Sequence, residues 1–147
     1  MEKVLGLLVP LKKGSDYENV YHRFQNVRQV MCIFGLDHDD DIGRNILGRL
    51  GATVHSIVPA DELQIGPTTP SSGTNVFPLC GLWRALALKA FSFEHVDAVL
   101  LVGDDVELLH DDVAERSLNL CQTGVVVISL RELNGPGWPC FPVVSRQ

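Results

Sequence analysis

Apolar residues along this chain come in short, nearly unbroken runs at residues 4–9, 30–36, 53–58, 98–102 and 125–130. Several lack the polar alternation of a half-buried strand, as expected where helices cover both faces of a parallel sheet. Between the runs the apolar spacing changes to a helical period. Ser15-x-x-Glu18 has the form of a capping box and opens a helix from Asp16 to about Gln25. Asp39, Asp40 and Asp41 load the start of a second helix, in which Ile42, Ile46, Leu47 and Leu50 share one face and Gly51 is placed to end it in a left-handed conformation. A third, over 78–91, carries Leu79, Leu82, Trp83, Leu86 and Ala90 at helical spacing, and a fourth, over 111–122, has acids in its first turn and Gly124 just beyond its end. This alternation predicts an α/β fold: a three-layer, Rossmann-like sandwich with right-handed crossovers and a mostly parallel sheet of about five strands.

Two stretches break the rhythm. Residues 59–75 hold Pro59, Pro67, Pro70, Gly73 and a run of Ser and Thr, too many breakers for a regular element, and predict a long flexible loop. From Asn134 onward the chain turns Gly- and Pro-rich. The expected organisation is therefore an α/β domain over 1–133 and a C-terminal segment over 134–147 that begins a truncated second half. Trp138, Phe141, Val143 and Val144 would need apolar partners, which predicts self-association or a missing C-terminal portion.

Composition fits this picture: 46% of 147 residues are hydrophobic and 20% charged, enough apolar material for a core in one domain. With 12 Lys plus Arg against 18 Asp plus Glu, the formal charge of -6 repels a phosphate backbone and argues against a nucleic-acid partner. No apolar run approaches the roughly 20 residues of a membrane span, and the apolar stretch behind Met1-Glu2-Lys3 is too brief for a signal peptide, so a cytoplasmic protein is expected. The 4 cysteines are scattered with no Cys-x-x-Cys pair, and Cys32 and Cys121 lie in apolar segments as expected of core thiols. His22, His55, His95 and His110 stand singly, without the spacing of metal ligands.

Ligands of open α/β sheets bind beyond the carboxyl ends of the strands. Acids follow two of the runs there. Asp37 ends the second, ahead of the helix-start acids Asp39 to Asp41, and Asp104 and Asp105 follow the fourth within Gly103-Asp104-Asp105-Val106-Glu107. Adjacent carboxylates at a strand tip repel unless a positive group joins them. A divalent cation, Mg2+ or Mn2+, bridging a diphosphate is the natural partner for such hard oxygen ligands. Lys12, Lys13 and Gly14 follow the first run and precede a helix start, where a diphosphate could sit.

The segment Leu100-Leu101-Val102-Gly103-Asp104-Asp105-Val106-Glu107-Leu108 resembles the metal-binding D-x-D region of the GT-A glycosyltransferases. The nucleotide-sugar-binding half of that family is an alternating β/α sheet whose first strand ends near Val-Pro, as Leu7-Leu8-Val9-Pro10 does here, and the resemblance extends over most of the chain. It implies a GT-A-like fold, a nucleotide-sugar-binding domain over 1–133, and transfer of a sugar from a nucleotide-diphospho-sugar donor to an acceptor. It places Pro10 and Lys12 at the nucleotide, Asp37 at the nucleoside base, Asp104 at the ribose or a second ligand, and Asp105 on Mn2+ or Mg2+. It also implies that Arg84, or Lys89, meets a phosphate behind the loop at 59–75. Gly103 stands where the first acid of the triplet is expected, so Asp105-Val106-Glu107 is an alternative reading of the motif. The catalytic base of the family normally comes from the later half, and none is assigned here.

Other classes predict different things of the same residues. A receiver domain would carry paired acids after the first run and a lysine after the fifth, and this chain has neither. A Mg2+-dependent phosphatase of haloacid-dehalogenase type would use Asp37 as nucleophile in a D-x-D-x-[TV] segment, but Asp41 fills the Thr or Val position. A noncatalytic α/β interaction domain would use the acids only at helix starts.

Overall fold

The computed structural model describes residues 1–57, 79–124, 127–129 and 142–146. Strand β1 (Val4–Pro10) leads into helix α1 (Tyr17–Arg23), then β2 (Val30–Asp37), α2 (Asp41–Arg49) and β3 (Thr53–Ile57). After residues outside the described set come α3 (Leu79–Phe91), β4 (Val96–Leu101), α4 (Val113–Gln122), β5 (Val127–Ser129) and β6 (Pro142–Ser145). The expected loop at 59–75 lies outside the described residues.

The sheet has six strands in the order β3-β2-β1-β4-β6-β5, one more than expected. β1 is parallel to β2 and β4, and β2 to β3, while β6 runs antiparallel between β4 and β5. The extra strand comes from the Gly/Pro-rich C-terminal segment. Val143 and Val144, expected to seek apolar partners, find them inside this sheet: Val143 lies opposite Leu100 and faces one core, and Val144 lies opposite Val99 and packs against the other.

Two apolar clusters cover the two faces. Leu5, Leu7 and Val9 of β1, with Phe34 and Leu36 of β2 and Leu100 of β4, meet Val20 and Phe24 of the α1 segment, Leu47 of α2 and Leu118 of α4. On the opposite face Leu8, Ile33 and Val99 meet Leu86 and Ala90 of α3. Gly35 makes the second contact this close: a Cβ there would lie 2.6 Å from Ile57 Cδ1 and 3.0 Å from both Leu86 methyls. The three-layer expectation therefore holds, with α1, α2 and α4 on one face and α3 on the other.

Other expectations are corrected. The chain moves one way across the sheet from β1 through β3 and the other way from β3 to β4 and on to β5. Helices α1 and α2 lie on one face and α3 on the other, as crossovers of a single hand require, but α4 returns to the face of α1. The β4–α4–β5 crossover thus has the opposite hand to the rest, where a common right hand is expected. At the start of α1 the cap is Asp16, whose side chain accepts from Asn19 N at 3.3 Å, and Ser15 Oγ instead donates to Lys12 O at 2.6 Å. In α2, Ile42 is 71% exposed, because the turn that faces the core runs through Gly43 and Leu47. Gly51 does end α2 with a left-handed φ of 77°. Among the described residues, no helix is long and apolar enough to cross a membrane.

The C-terminal strand is tied down by Arg146. Its guanidinium donates to Phe91 O at 3.0 Å, Phe93 O at 2.8 Å and Val96 O at 2.7 Å, and it lies 5.1 Å from the Phe91 ring centroid. The first two close carbonyls at and just beyond the end of α3, and the third ties β6 to the start of β4. Arg146→Ala is expected to lower unfolding free energy by about 1–2 kcal/mol, since the group is partly solvated. Urea denaturation checks this, and an unchanged midpoint would mean that β6 is held by its strand pairing alone.

Candidate functional site

Strands β1, β2 and β4 all end at the same edge of the sheet, and β1 is the strand about which the order reverses. Such a reversal marks the usual ligand-binding edge of an open α/β sheet. The loops that follow β1 and β2 are bound to one another. Tyr17, at the start of α1, accepts from Gly14 N at 3.1 Å and donates its hydroxyl proton to Asp40 Oδ2 at 2.6 Å. Asp40 is buried and caps α2 by accepting from Gly43 N at 3.0 Å. Outside this buried link, Lys13 Nζ meets Asp39 Oδ2 at 2.5 Å on the exposed surface.

These contacts set the protonation of the loops. Burial, then the bond to Asp40, pushes the Tyr17 phenol above its ordinary value. The mutual hydrogen bond raises Lys13 and holds Asp39 below the usual carboxylate range. Lys13 is therefore engaged within the protein. Lys12 is exposed and makes no ion pair among the described residues.

Beyond β4 the chain runs without regular structure until α4. Val102 N still donates to Leu8 O at 3.1 Å, and Val106 N donates to Gly103 O at 3.3 Å, closing a turn over Asp104 and Asp105. A Cβ at Gly103 would fall 2.7 Å from Asp105 Oδ1. A side chain at 103 would require the exposed Asp105 carboxylate to swing aside, a shift its flexible side chain allows. Behind the turn, Arg23 Nη1 donates to Asp104 O and, at 3.4 Å, to Val106 O, while Arg23 Nη2 donates to Asn19 Oδ1 at 3.2 Å. Val106 and Leu108 then pack against the core on the α1 face.

The residues expected at the site are only partly brought together. Pro10, half-buried, pairs with Gly35 at the end of β1; Lys12 follows it, and Asp37 ends β2 half-buried, close enough for its charge to act on Lys13 and Tyr17. Asp104 is half-buried and Asp105 exposed, both at the same edge. Arg84 stands apart. It lies on the exposed side of α3, between the buried Leu82 and Leu86, so it faces away from the sheet.

No protein-family model matches this chain, and a search of curated proteins finds no match. Among the described residues no three His, Cys, Asp or Glu side chains converge as a metal cage. Asp105 and Asp104 offer at most two carboxylates, a donor set that suits Mg2+ or Mn2+ arriving with a diphosphate and keeping several waters. The described residues also form clefts. One of about 230 Å³ is lined by Phe24, Val27, Met31 and Ala52 near the amino ends of the strands, and another of about 380 Å³ lies between α1 and α2 beside Glu18 and Arg49.

Tyr17, Asp40 and Arg23 were not legible as site residues. Tyr17 opens a short helix of mixed polar and apolar residues, Asp40 is one of three adjacent acids, and nothing in the spacing of Arg23 signals a partner 81 positions on. Tyr17→Phe is expected to cost about 1–3 kcal/mol, because the buried Asp40 loses a donor. The raised phenol gives a sign as well: its contribution is fully present below the ordinary value of 10.0 and is lost as pH rises through the higher folded value. Unfolding curves of the parent should fall off above about pH 10, and Tyr17→Phe should lack that part of the decline. Equal stability of the two at neutral pH would refute the link.

Proposed function

We propose that this chain binds a nucleotide-diphospho-sugar through the carboxyl edge of β1, β2 and β4, as the donor-binding part of a glycosyltransferase of GT-A type. The observation that carries the reading is the Asp104–Asp105 turn, beside the basic loop of β1 at the reversal of strand order, with neither carboxylate engaged by another described side chain. In sugar transfer the bond from the anomeric carbon to the diphosphate breaks, and negative charge grows on the departing diphosphate. Fixed positive groups directed at that charge stabilise it. Lys12 is the cation in place to do so, since Lys13 is held by Asp39. A divalent ion, when bound, adds Lewis-acid stabilisation of the same oxygens, with Asp105 as its protein ligand. Asp37, at the end of β2, would accept from an N–H of the base.

Calorimetry with UDP and GDP, with and without Mn2+, tests this. Mn2+ is expected to strengthen binding of one of them, and Asp105→Asn to remove that increment while leaving the fold intact. Asp37→Ala should weaken binding about tenfold to a hundredfold, the ~1.5–3 kcal/mol of a hydrogen bond to a charged group, without abolishing it. Equal affinity with and without Mn2+ in the parent would remove the metal from the proposal, and an aspartyl-phosphate trapped at Asp37 would replace it with a phosphatase.

A further inference from the structure

We draw no further inference here: the strongest candidate, the cleft of about 230 Å³ between the end of α1, the start of β2 and the turn into β3, lined by Tyr21, Phe24, Met31, Cys32 and Ala52, is a groove of mostly apolar side chains, and nothing in the structure shows what covers it.

Discussion

Burial of β1 on both faces is the constraint from which the rest of the structure follows. Leu5, Leu7 and Val9 point to one side and Leu8 to the other, each fully buried, and each such side chain contributes about 1.5–3 kcal/mol only while water is kept from it. One layer of helices cannot cover both sides. The chain therefore lays α1 and α2 on one face, returns past β1 with α3 on the other, and places β4 against the free edge of β1. The candidate site is a by-product of that return. Strands flanking β1 on both sides bring the ends of β2 and β4, and so Asp37 and Asp105, to the edge where Pro10 and Lys12 emerge.

What was legible in the sequence is what burial writes into residue type. The unbroken apolar runs of β1 and β2 are hidden on both faces, and α2 is punctuated by Asp40 and Gly51 because the ends of a helix leave donors and acceptors open. What was not legible depends on partners distant in the chain. Pro142 to Ser145 reads as the end of a Gly/Pro-rich tail, since a four-residue strand carries too short an alternation to stand out, and only its pairing with β4 and β5 makes it part of the sheet. Ile42 fits an apolar helical face by spacing, yet the face that packs is set by where α1 lies. The acids after β2 and β4 could be named as candidates. That Asp40 would be buried against Tyr17, Asp39 paired with Lys13, and Asp105 left exposed could not be read without the loops in place.

The two halves of the edge are built on different physics. Between β1 and β2 the loops are joined by a buried hydrogen bond, in which a carboxylate shielded from water is stabilised by a phenol and a backbone amide together. That arrangement fixes geometry but leaves Asp40 and Tyr17 no capacity to meet a ligand. Around β4 the backbone is held by a cation and the carboxylates remain outward. The first is a buried frame, and the second leaves the Asp105 carboxylate exposed.

The unusual hand of the β4–α4–β5 crossover explains why the acids are in reach of Arg23 at all. Helix α3 packs over β1, β2, β3 and β4, so the face that a crossover of the common hand would use is already covered there. The chain leaving β4 turns instead to the α1 face and descends beside that helix, half-burying Val106 and Leu108 on the way. A backbone segment without regular hydrogen bonds must satisfy its carbonyls locally or leave them unpaired against the protein. The guanidinium of Arg23, projecting from the end of α1, satisfies two of them. The same contact that makes this descent tolerable therefore fixes the turn at its top, and the position of Asp104 and Asp105 is a consequence of how the chain found an open face for α4.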